Sequence, residues 1–75
     1  MVRLTTLADG ASGSLMQLGG DRAFRRRLME LGLLPGTQIR IVRRAEIGGV
    51  LELEVRRARL TVRRSEAEHL FIAAS

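Results

Sequence analysis

Seventy-five residues, 45% of them apolar and 28% charged, build one small folded domain over 1–75, leave no material for a second core and exclude a disordered chain. Cysteine is absent, which removes disulfides, thiolate metal sites, iron–sulfur clusters and thiol nucleophiles together. All thirteen basic residues are arginine; against eight acidic residues they give a formal net charge of +5, which suits phosphate, acidic protein or anionic membrane surface without choosing among them.

No apolar run nears the ~18 residues of a transmembrane helix, and the N-terminus carries no long apolar stretch, so the chain is expected to be soluble and cytoplasmic. Thr5 to Gly13 reads as a lead-in arm and loop, anchored by Leu4 and Leu7. Ser14 to Leu18, closed by Gly19-Gly20, reads as the first strand, and its imperfect alternation admits a bulge. Asp21 is placed to N-cap a helix in which Phe24, Leu28 and Leu31 fall at i, i+4 and i+7 and share the core face. Gly32 sits where a helix ends in the left-handed conformation, with Leu33 positioned to pack back on Leu28. Pro35-Gly36 then supplies the central pair of a type II turn.

From Thr37 onward the period falls from 3.6 to 2. Ile39 and Ile41, then Leu51, Leu53 and Val55, then Ala58, Leu60 and Val62 alternate with polar residues and predict three successive half-buried strands. Ile47-Gly48-Gly49 supplies one hairpin connection, and Arg56-Arg57 a tighter, less ideal one. Ser65 with Glu68 has the spacing of a capping box and predicts one helical turn before Leu70 and Ile72 form the last strand. The expected fold is all-β with one helix: a small SH3-like five-stranded barrel, the helix lying between strands 1 and 2 and plugging one open side. A ferredoxin-like fold would need a second long helix, and an OB fold longer strands.

An enzyme needs a nucleophile or a tuned acid–base pair, and the chain offers one histidine with no cysteine, tyrosine or lysine. Glu52 and Glu54 share a strand face, but Arg40, Arg59 and Arg63 on neighbouring strands make cross-strand ion pairing the better reading. The chain is therefore read as a non-enzyme. His69 beside Glu66 and Glu68 falls short of the three or four ligands of a transition-metal site, so no metal or cofactor is expected. A basic nucleic-acid-binding barrel is the alternative from another class, and an enzyme fragment a more distant one. With Phe24 turned to the core and Phe71 as the sole other aromatic, base stacking has little to use.

The helix carries the strongest signal. At about 100° per residue, Arg22, Arg25, Arg26 and Met29 fall opposite the apolar stripe, so three guanidinium groups surround an exposed thioether. A charge run on a helix is usually a solvated face. Here, though, like charge gathers in the first turn, where the helix dipole disfavours cations, and an acidic protein surface could use that cluster.

Gly19 to Thr37, GGDRAFRRRLMELGLLPGT, resembles the signature of the FeoA family, small cytoplasmic proteins associated with bacterial ferrous iron transport. The matching positions are Gly20, Arg26, Arg27, Leu28, Leu31, Gly32, Leu33, Pro35, Gly36 and Thr37, and Leu60 to Ile72 resembles the family's closing strand, short acidic turn and final strand. The resemblance implies an SH3-like barrel and an accessory role toward the membrane transporter FeoB through its cytoplasmic GTPase region, and leaves a homo-oligomer open. Similar domains end iron-dependent repressors, where they serve as protein interaction modules. The chain departs from the family pattern at Ala45 to Val50, which lacks the usual prolines and Asp, and at Arg57, where a Gly is usual.

Overall fold

A computed structural model describes residues 1–45 and 48–74 of the chain. Within them lie β1 (Val2–Arg3), a 3-10 turn (Leu4–Thr6), β2 (Ser12–Leu18), α1 (Arg22–Glu30), β3 (Gln38–Ala45), β4 (Val50–Val55), β5 (Ala58–Arg63), the single turn α2 (Arg64–Ala67) and β6 (Leu70–Ala74). All strand pairs are antiparallel, in the order β1-β6-β2-β3-β4-β5, so β3, β4 and β5 form a meander and β6 returns between β1 and β2.

Two bulges bend this sheet around its contents. One falls between Leu15 and Gln17 on β2, as the broken alternation of that segment predicted, and turns Met16 out to solvent. The other falls between Ile41 and Arg43 on β3. The bend gathers Leu4, Leu15, Leu28, Leu33, Ile39, Ile41, Leu53, Leu70 and Ile72 into one fully buried cluster. Where β2 crosses β6 the strands approach so closely that a Cβ on Gly13 would stand 2.5 Å from the Ala73 carbonyl oxygen.

The chemistry of the helix stop is as expected. Gly32 has φ +98°, its N–H donates to the Met29 carbonyl, and the Leu33 N–H donates to the Leu28 carbonyl, which together make a Schellman motif. The Thr37 N–H then donates to the Leu34 carbonyl across Pro35-Gly36, closing the type II turn with Gly36 at φ +90°.

Four expectations change. The sheet has six strands among the described residues instead of five, and its ends do not join, so the barrel is an open, SH3-like one. The added strand, β1, pairs with β6 through Val2–Ile72 and Arg3–Phe71, and β2 begins at Ser12, inside the segment read as a loop. Leu31 is not on the core face: the helix ends at Glu30, and Leu31, as C-cap with ψ 1°, points to solvent at 53% exposure. The Ser65–Glu68 box does not form, because α2 begins at Arg64, with Arg63 as N-cap, and Glu66 accepts the Arg63 N–H at 2.9 Å. In the β3–β4 connection, Ile47 lies outside the described residues; Gly48 and Gly49 follow it, both with positive φ.

Candidate interaction surface

The Asp21 carboxylate accepts the Phe24 N–H at 2.8 Å and starts α1 as the sequence predicts. Leu28 is the helix's one buried residue, with Phe24 half-buried against the same cluster. Behind it the Gly20 backbone, at φ +89°, approaches so near that a Cβ there would meet the Phe24 ring at 2.6 Å. The His69 ring packs against Phe24 in a T-shaped arrangement, centroid to centroid 5.8 Å.

With its apolar stripe so engaged, α1 turns Arg22, Arg25, Arg26 and Met29 outward together, where with Glu30 they line a shallow depression of about 480 Å³. Met29 is 42% exposed, and the first turn of α1 holds no acidic residue. Arg27 differs from its neighbours. Its guanidinium pairs with Glu66 of α2 and lies over the Phe24 ring, 5.8 Å from the centroid, so it belongs to the attachment of the helix.

The acidic groups are also committed. The Arg63 N–H is the chief cause holding the Glu66 carboxyl below the ordinary carboxylate value; burial opposes it, and the Arg27 guanidinium adds to the lowering. That leaves Glu66 poorly suited to a metal beside His69, and no group of three potential donors occurs among the described residues. On the sheet, Glu52 binds Arg59 and Arg43, each at 3.0 Å, and Glu54 binds Arg40 at 3.1 Å. The hydrogen bond from Arg59 is the chief cause holding Glu52 below its ordinary value. The two carboxylates thus form a ladder of ion pairs, as read from the strand pattern, with Arg43 in place of Arg63.

A second surface was not read from the sequence. Leu28 and Leu31 at the end of α1 face Leu60 and Val62 of β5 across a groove of about 470 Å³, with Val50, Thr61, Arg27, Arg63 and Glu66 on its walls. Its signal was the i+7 leucine: carried one residue past the helix end, Leu31 becomes the lip of a groove.

No helix among the described residues is long and apolar enough to cross a membrane. Residues 2–74 match the family described as the FeoA domain. Among solved structures, the fold is similar to the FeoA protein of Chlorobium tepidum, 33% identical over 97% of this chain and 70% of that one, with a TM-score of 0.91. A zinc complex of Stenotrophomonas maltophilia FeoA, described as an SH3 domain protein and proposed as a ferrous iron transport activating factor, is 30% identical, covers 97% and 91% of the two chains, and gives 0.77. The same fold makes up 41% of a manganese-dependent transcriptional repressor, 18% identical with a TM-score of 0.89.

Proposed function

The chain belongs to the FeoA domain family, and from that premise we propose that it is a cytoplasmic accessory protein of ferrous iron uptake, acting by docking on a FeoB-type transporter. The contact is made by Arg22, Arg25, Arg26 and Met29 of α1 against an acidic surface of the transporter's cytoplasmic GTPase region. One observation carries the choice of face: three guanidinium groups, none of them in a salt bridge among the described residues, gather around one exposed thioether in a single depression, whereas Arg27, Arg40, Arg43, Arg44 and Arg59 are in salt bridges and Arg56, Arg57, Arg63 and Arg64, which are in none, stand in pairs at the two ends of β5. A flexible apolar centre ringed by planar cations is the pattern in which interface energy concentrates. Chemistry on substrate is not part of the role, since the glutamate pair of the sheet is occupied by arginines.

Truncating Arg25 and Met29 together tests this. Calorimetric titration against the transporter's cytoplasmic region should show binding weakened by at least ~2 kcal/mol, with an unchanged circular dichroism spectrum, because neither side chain reaches the core. Unchanged binding by the folded double variant would refute the face. An oligonucleotide arm decides the alternative: affinity for nucleic acid that falls linearly with log salt would move the arginines to phosphate.

A further inference from the structure

The sheet has two edges, and they differ. β1 is two residues long, too short to template another strand, while β5 runs six residues and ends the strand order with one side unpaired. The register fixes which backbone groups are free. A two-residue loop closes on a hydrogen-bonded pair, here Val55–Ala58, and such pairs alternate along an antiparallel ladder. Leu53–Leu60 and Leu51–Val62 are then the next bonded pairs, and Arg59, Thr61 and Arg63 point their N–H and C=O groups away from β4. The Arg63 N–H is already taken by Glu66. Arg59 and Thr61 keep outward-facing groups beside the groove whose floor is Leu28, Leu60 and Val62 and whose lip is the exposed Leu31.

Charge selects the occupant. Arg56 and Arg57 stand at the start of β5 and Arg63 and Arg64 at its end, all four exposed and in no salt bridge among the described residues. Arginines so placed repel a second copy of this basic chain and attract an acidic one. We propose that the β5 edge binds an extended acidic segment of a partner protein as an added strand, its backbone pairing with Arg59 and Thr61, its apolar side chains entering the Leu31–Leu60 groove and its carboxylates meeting the arginines at either end. Alternation suits this: successive side chains of a strand face opposite sides, so an acidic-apolar repeat puts one set in the groove and the other in solvent. The surface shares no residue with the arginine face of α1 and stands whether or not that face docks on a transporter.

The probe is a short capped peptide in which Glu alternates with Val and Leu, titrated into the isotope-labelled intact chain. Amide shifts at Arg59, Thr61 and Leu31, with slowed hydrogen exchange at Thr61, are the expected result. The same peptide with the amides that would face β5 N-methylated should bind about tenfold more weakly or not at all, as should the parent peptide to Thr61→Pro, a substitution that an edge position accommodates. The N-methylated arm leaves the protein unaltered, so it decides the matter even if Thr61→Pro unfolds. Shifts confined to Arg22, Arg25 and Arg26, equal binding of the N-methylated peptide, or response to oligothymidylate and not to the peptide would each overturn the proposal.

Discussion

Arg27 of α1 reaches Glu66 of α2 across 39 positions of sequence, and the same carboxylate receives the backbone N–H of Arg63. One side chain thereby caps a helical turn and holds down the far helix. An exposed ion pair of this kind contributes little alone, about 0–1 kcal/mol, but here it acts where Leu28 is the helix's sole buried anchor.

Acid should reveal it. Glu66 and Glu52 both titrate below their ordinary value in the folded chain, so the stabilisation they give is complete above the unfolded glutamate pKa of about 4.3 and is lost as pH falls through their lowered folded values. Melting temperature is therefore expected to hold from neutrality to about pH 5 and then drop. In Glu66→Gln the starting stability should be lower and the acid drop shallower, since the amide oxygen still accepts from Arg63 but the titrating charge is gone. Parallel acid slopes for parent and variant would dismiss the role of Glu66.

At the helix stop the space is open: a Cβ on Gly32 meets nothing within 4 Å. Any penalty for substitution is then conformational alone. Gly32→Ala should cost about 1 kcal/mol, Gly32→Asn less, and Gly32→Val more, because a β-branched residue resists positive φ most. Thermal unfolding of the three variants gives the order; a Val variant melting with the parent would mean that the helix does not end left-handed.

The reverse should hold at the β4–β5 turn. Arg56 and Arg57 adopt φ +50° and +69°, the pattern of a type I′ turn normally filled by Asn-Gly. Arg56→Asn with Arg57→Gly should stabilise the fold by about 1 kcal/mol, raising the melting temperature by about 4–8 °C for a domain of this size. No increase would show that the arginines relieve the strain through contacts of their own.

Gly13 makes the opposite demand, for space instead of conformation. With the Ala73 carbonyl oxygen 2.5 Å and the Ile72 side chain 2.4 Å from where a Cβ would be, Gly13→Ala has to part β2 from β6. A loss of about 1–3 kcal/mol in chemical denaturation is expected. A neutral effect would mean that the two strands separate without cost.

These cases also show what a sequence reveals. The Gly32 stop and the Pro35-Gly36 turn were legible because each follows from the backbone preferences of one or two residues, and the Arg56-Arg57 hairpin because it interrupts the alternation of the strands on either side. β1 was not, since two residues carry no period and Val2–Arg3 is a strand only by virtue of β6, some 70 positions away. Leu31 was misplaced because the i, i+4, i+7 rule assumes a helix that continues, and this one ends a residue sooner. Glu66 in place of Glu68 is the same error in miniature: a two-residue shift of helix start changes which glutamate caps. The outward arginines were legible from helical projection, but the groove beside them depends on the placement of β5 against α1, which no local pattern encodes.

The slender attachment of α1 lets it lift at little cost to the rest of the fold, and its exposed run Arg25, Arg26, Arg27 supplies three consecutive trypsin sites. Protease would therefore nick the native protein there before the sheet unravels, at a rate set by how often the helix lifts from the core. Anything that seats on the helix would slow that clock, so the survival time of the intact chain in trypsin becomes a label-free gauge of docking.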